Sequence, residues 1–148
     1  MKESQFQTLF TRGVRATFGK DTIYHKISDE SSGLKPYDCF LACDNGFYAF
    51  ELKVCHNLNS FTFRPWFKGR EHQITCLERS NAHNVFNYAF VVVYFDKIRE
   101  AYMIPWHFIE HDLDHKFKMI DILQYKMTKI RRKHHNDLVW DVRKGINI

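Results

Sequence analysis

The chain has 148 residues, and no apolar leader precedes Phe6. No hydrophobic run is long enough to span a bilayer. There are four cysteines, Cys39, Cys43, Cys55 and Cys76, and no CxxC pair among them. Structural zinc needs tighter ligand spacing, so buried free thiols are the simpler expectation. Together these absences predict a soluble, cytoplasmic protein with reduced cysteines and no membrane partner. Repeats, low-complexity segments and internal linkers are also missing, which predicts one domain over residues 1–148. Acid is scarcer than base: 17 Asp and Glu against 22 Lys and Arg leave a net charge of +5. That balance favours a polyanionic partner without identifying one.

What is present is ordinary globular material with an aromatic bias. Hydrophobic residues make up 45% and aromatic residues 16%, with 14 phenylalanines, so large rings should fill a small core. Phe6, Leu9, Phe10, Val14 and Phe18 recur at helical spacing and predict a helix over 2–18, stopped by Gly19. Residues 22–27 alternate as a strand, and 29–35 form a polar loop with Ser31, Ser32 and Gly33. Residues 38–43 and 47–54 read as two strands around Asp44-Asn45-Gly46, where Asn-Gly is a strong hairpin signal. A loop over 56–68 leads to a helix over 70–82. The apolar run 88–95 reads as a strand buried on both faces, and 100–104 returns beside it. Pro105 can open a short helix through His111. From Lys116 the chain is basic and is expected to mix helix with extended structure. The order helix, three strands, helix, two strands, helix predicts an α/β domain with a central mixed β-sheet flanked by helices.

The hairpin makes a geometric claim. With Asn45-Gly46 as a two-residue loop, Phe40 faces Glu51 and Asp38 faces Lys53. Side chains alternate with period two, so Asp38, Phe40, Glu51 and Lys53 share one sheet face, and Tyr48, Phe50, Leu52 and Val54 share the other. Two neighbouring carboxylates repel, and a divalent cation relieves the repulsion. Hard oxygen ligands select Mg²⁺ or Mn²⁺, which can polarise a phosphodiester, while Lys53 steadies developing negative charge. The plainer alternative is a surface ion pair between Asp38 and Lys53 with Glu51 solvated. Against it, Glu51 lies between Phe50 and Leu52, where an unpartnered carboxylate is costly.

Pro36-Tyr37-Asp38, then twelve residues, then Glu51-Leu52-Lys53, resembles the PD-(D/E)XK nuclease signature. The flanking helices and the joining hairpin resemble the restriction-endonuclease-like core. Ser60-Phe61-Thr62-Phe63, Lys68-Gly69-Arg70, Glu71-His72-Gln73 and Tyr102-Met103-Ile104-Pro105 are similar to RecU-like and phage-type Holliday junction resolvases over most of 3–106. Tyr37 departs from the Asp that the signature's name places after Pro, and a long basic N-terminal extension found in some relatives is missing. The resemblance implies metal binding by Asp38 and Glu51, with the Leu52 backbone carbonyl as a further ligand. It implies catalytic assistance by Lys53, Gln73 lining the site, and a homodimer acting on branched or duplex DNA. Glu3 falls within the arc of the first helix's apolar stripe and matches a first-helix Glu at the resolvase metal site; a carboxylate answering the helix dipole is its other reading.

Other basic residues are candidate DNA contacts: Arg64, Lys68 and Arg70 in the loop after the ExK strand, Arg12, Arg15 and Lys20 around the first helix, Lys26 on the first strand, and Arg131 and Arg132 in the run 129–135. Each could equally belong to a solvated face. The expected function is a Mg²⁺- or Mn²⁺-dependent DNA endonuclease, foremost a Holliday junction resolvase. The alternatives are another restriction or repair nuclease of the superfamily and a non-catalytic DNA-binding module, and RNA stays open as a substrate.

Overall fold

A computed structural model describes residues 1–19, 22–28, 35–82, 87–132 and 134–147. The loop with Ser31, Ser32 and Gly33, and the candidate contact Lys20, lie outside the described residues.

Helix α1 (Glu3–Thr17) opens the chain, and its first turn is tied by the Gln5 side chain accepting the Lys2 amide at 2.8 Å. Strands β1 (Ile23–Lys26), β2 (Cys39–Cys43), β3 (Gly46–Cys55), β4 (Asn87–Phe95) and β5 (Glu100–Pro105) form one sheet in that order. Every neighbouring pair is antiparallel except β3–β4, which is parallel. A parallel pair needs a crossover, and the segment between those strands supplies it with a 3₁₀ turn at Arg64–Phe67 and helix α2 (Glu71–Ala82). This is the mixed sheet flanked by helices that the element order predicts.

Period two sorts the side chains of β3 between two cores. Tyr48, Phe50 and Leu52 face Phe6, Phe10 and Val14 of α1, with Trp140 and Val142 from the C-terminal region. Ala49 and Cys55 face the other way, toward Phe63, Phe67, Leu77 of α2 and Trp106. Strand β4 is buried from Ala89 to Phe95, as its unbroken apolar run requires. Helix α3 (Trp106–Ile109) is shorter than the span to His111 predicted after Pro105. The basic tail holds a 3₁₀ segment (Met119–Tyr125), the hairpin β6 (Lys129–Arg131) and β7 (Leu138–Trp140), and a last turn, α4 (Val142–Gly145). Among the described residues no helix is long and apolar enough to cross a membrane.

The β2–β3 hairpin differs from the sequence expectation. Cys43 pairs with Gly46, so the two-residue loop is Asp44-Asn45. Neither loop residue has positive φ; the unusual conformation falls on Gly46, at φ 143°. Glycine there serves the first residue of β3 rather than a type I′ centre. The pairing therefore shifts by two, with Phe40 opposite Ala49 and Cys39 opposite Phe50. A shift by two keeps every side chain on its predicted face, where a shift by one would have reversed them. Asp38 then comes opposite Glu51, not Lys53.

Candidate active site

The site forms where β2 and β3 part. Strand β2 covers β3 only as far as Phe50, while β3 runs on to Cys55 against β4. The Asp38 amide donates to the Phe50 carbonyl at 3.0 Å, and the Asp38 carbonyl accepts from Ile27 at 2.8 Å. Beyond that point the Asp38 side chain takes over from the backbone ladder: Oδ2 accepts the Leu52 N–H at 2.7 Å. In an extended strand the N–H and C=O of one residue point the same way, so the Leu52 carbonyl is directed to this opening. One ladder step on, position 36 would face that carbonyl, and Pro36 has no N–H to donate.

Among the described residues the buried polar and charged side chains are Asp38, Glu51, Lys53 and Gln73. Burying four such groups together is unfavourable unless they serve one another or a ligand. Lys53 Nζ lies 2.8 Å from Glu51 Oε1 as an ion pair and 5.8 Å from the centre of the Phe67 ring. The ion-pair contact lacks hydrogen-bond geometry, and neither Glu51 oxygen has a hydrogen-bond partner. Gln73 Oε1 is also buried without one. Gln73 lies one helical turn before Leu77, so it shares the face that α2 turns to the core.

Asp38 is better served. Its Oδ1 accepts from Gln7 Nε2 at 3.2 Å and pairs with Lys35 Nζ at 2.8 Å. Lys35 is held in turn by its carbonyl, 2.8 Å from His72 Nε2. Burial, then the charge of Asp38, pushes the Glu51 carboxyl well above the usual range, with Lys53 pulling it back. Glu3 is half-buried, and burial raises its carboxyl too; Lys53, Asp38, Arg70 and Lys35 are the charges acting on it, which brings it within the field of the site.

The donor set suits a hard cation. The buried oxygens are two carboxylates, a side-chain amide and a strand carbonyl, the ligands that favour Mg²⁺ or Mn²⁺ over softer metals. Among the described residues no group of three or more His, Cys, Asp and Glu is placed to hold a metal. Mg²⁺ commonly takes one or two carboxylates and keeps several waters, so the neighbouring carboxylates of Asp38 and Glu51 fit it.

Asp38, Glu51 and Lys53 are thus brought to one face as the spacing predicts, with Glu3 within their field, and Gln73, which the resemblance implies, is buried on the inward face of α2. Gln7 and Lys35 are additions. Gln7 sits one turn after Glu3 on the same helical face, and Lys35 three residues before Asp38, so each had a positional signal. The basic candidates disperse. Lys68 and Arg70 are exposed around Gly69, whose φ of 75° makes the sharp turn into α2. Arg64 is exposed and donates Nε–H to Asp114 at 2.7 Å. Arg131 is exposed on β6. Arg12, Arg15, Lys26 and Arg132 line a single groove beside α1.

No protein-family model matches the chain. A search of curated proteins gives no match either. Among solved structures the chain is similar to Hjc, a Holliday junction resolvase from the archaeal hyperthermophile Archaeoglobus fulgidus, at 11% identity over 84% of this chain and 89% of that one, with a TM-score of 0.49. At that identity, function has to be argued from the site itself.

Proposed function

We propose that the protein is a metal-dependent DNA endonuclease whose active site is Asp38, Glu51, Lys53 and Gln73. The carrying observation is Glu51: 0% exposed, next to the second buried carboxylate of Asp38, and balanced by Lys53 at 2.8 Å alone. One buried ammonium against two buried carboxylates leaves negative charge that a cation would offset, which supports the reading.

Asp38 and Glu51 would hold Mg²⁺ or Mn²⁺, with the Leu52 carbonyl and Gln73 Oε1 as neutral donors and Glu3 as a nearby carboxylate. Bound there, the ion supplies Lewis-acid polarisation of the phosphodiester. The remaining work belongs to the chain. Lys53 Nζ, 2.8 Å from Glu51, can donate to a phosphate oxygen as negative charge builds. The Phe67 ring limits where that ammonium can move. Burial of all four side chains excludes bulk water and strengthens each interaction. Lys68 and Arg70 stand at the entrance and contact flanking phosphates. The favoured substrate is the four-way DNA junction named by the sequence resemblance, cut by a homodimer with one site per strand.

The test is incubation with junction, duplex, flap and single-stranded DNA in Mg²⁺ or Mn²⁺. Cleavage concentrated on the junction is expected. Equal cutting of all four would remove the resolvase assignment and leave a general nuclease. Asp38→Ala and Glu51→Ala should abolish cleavage and retain DNA binding. A wild-type protein that binds DNA and cuts none of the four overturns the nuclease reading in favour of a binding module.

A further inference from the structure

The outer face of α1 carries a groove of about 590 Å³ that the catalytic site does not use. Thr8, Arg12 and Arg15 of α1 form its floor, Lys26 of β1 one margin, and Arg132 and His135 of the β6–β7 connection another. These cations come from three remote parts of the sequence. No carboxylate lines the groove among the described residues. Arg132 pairs with Asp137 at 2.9 Å, which fixes its guanidinium. Arg12, Arg15 and Lys26 are exposed and have no ion-pair partner among the described residues. Like charges gathered around a concave surface repel one another until a polyanion enters.

Chain neighbours of its lining residues tie the groove to the site. Gln7, one residue before Thr8, reaches Asp38 Oδ1. Lys26 pairs with Cys39, the residue after Asp38, and the next amide, Ile27 N–H, donates to the Asp38 carbonyl. From Thr8 to Arg15 the helix rises about 10 Å, at about 1.5 Å per residue. That length matches about three phosphates of one DNA strand, spaced about 3.4 Å along the duplex axis.

We propose that this groove carries the sugar–phosphate backbone of the DNA strand as it leaves the cleavage site, with Arg12, Arg15 and Lys26 each neutralising a phosphate. The inference rests on the nuclease reading for the identity of the polyanion. Its lining can read charge and spacing, not base identity, so recognition there is independent of sequence.

The test is fluorescence anisotropy of a labelled four-way junction and a labelled duplex, titrated with the full chain in EDTA over a range of salt concentrations. The groove variant is Arg12→Gln, Arg15→Gln and Lys26→Gln together. A control removes the same charge from exposed positions elsewhere: Lys97→Gln, Lys116→Gln and Lys118→Gln. The slope of log K against log salt should fall by about 2.7 in the groove variant, about 0.9 for each phosphate no longer neutralised. The control should keep the wild-type slope. Each single groove substitution should remove about a third of the effect, which guards against a triple variant that folds badly. A groove variant with the wild-type slope, or a control whose slope falls as far, overturns the inference even where the wild type cleaves DNA. A groove-dependent slope in a protein that cuts nothing with Mg²⁺ or Mn²⁺ sinks the nuclease reading and leaves the groove standing.

Discussion

Glu51 sets the balance between stability and chemistry in this molecule. Its carboxyl is pushed up to about 7 by burial and by Asp38, against 4.5 for the free group. The folded state therefore binds this proton more tightly than the unfolded state. The stabilising effect is fully present below about pH 4.5 and is lost as pH rises to about 7. Above that range the metal-free protein carries an ionised Glu51 whose oxygens lack hydrogen-bond partners. Glu51→Gln removes the charge, so at pH 8 in EDTA it should stabilise the fold by about 1–3 kcal/mol while cleavage disappears. Calorimetry at pH 5 and pH 8 checks it, and the gain should shrink at the lower pH. Loss of stability at pH 8 would show that the charge is already compensated.

The same proton links metal to pH. A carboxylate must ionise before it can ligate, so apparent Mg²⁺ affinity should rise between pH 6 and pH 8. Thermal shift with Mg²⁺ should therefore be larger at pH 8 for the wild type and absent at both pH values for Glu51→Gln. A shift retained in the variant would place the ion elsewhere. Lys53 acts later. Lys53→Met keeps the stem against Phe67 and removes the donor, so it should lower kcat by about 10²- to 10³-fold with metal-dependent stabilisation preserved. Single-turnover cleavage separates that outcome from a binding defect.

At the scale of elements, α1 joins both halves of the active surface. Its inner stripe of Phe6, Phe10 and Val14 is core, Glu3 and Gln7 face the site, and Arg12 and Arg15 face the groove. Gly13 lets it lie close to β7: a Cβ there would come 2.6 Å from the Trp140 carbonyl oxygen and 3.2 Å from the Trp140 Cβ. Gly13→Ala should gain about 1 kcal/mol of helix propensity and lose about 1–3 kcal/mol to overpacking, since the obstacle is backbone. The expected result is a lower Tm in thermal melting, where an uncrowded helical glycine would give a higher one.

The elements are legible where a strong period has no competitor. The stripe on α1, the doubly buried run of β4 and the alternation of β3 each predict their element to within a residue or two. The shared face of Asp38, Glu51 and Lys53 holds despite the displaced turn because parity is insensitive to a shift by two. The turn itself is ambiguous in sequence because Gly46 can serve either as a loop centre or as a positive-φ strand start. Gln7 escapes a sequence reading because its partner, Asp38, lies thirty-one residues away, and pairing at that separation has no local sequence period, whereas Lys35, three residues before Asp38, is within reach of one. The basic tail hides the β6–β7 hairpin, whose strands are three residues each.

For the whole molecule, the site count constrains the reaction. One chain has one Asp38–Glu51–Lys53 constellation, which under the proposed function would cut one strand. Resolving a four-way junction symmetrically needs two cuts at equivalent positions, and a two-fold dimer supplies them. A pair of 17.8 kDa chains should therefore appear by light scattering in the presence of junction DNA. Mixing wild type with Asp38→Asn then separates cooperation from repeated visits. At equal proportions and free exchange, about one quarter of dimers carry two intact sites, so paired incisions should fall to about one quarter. Single nicks draw on every intact site, paired or not, and should persist well above that fraction. Paired incisions that follow the wild-type curve when plotted against total nicks would mean that independent monomers make both cuts.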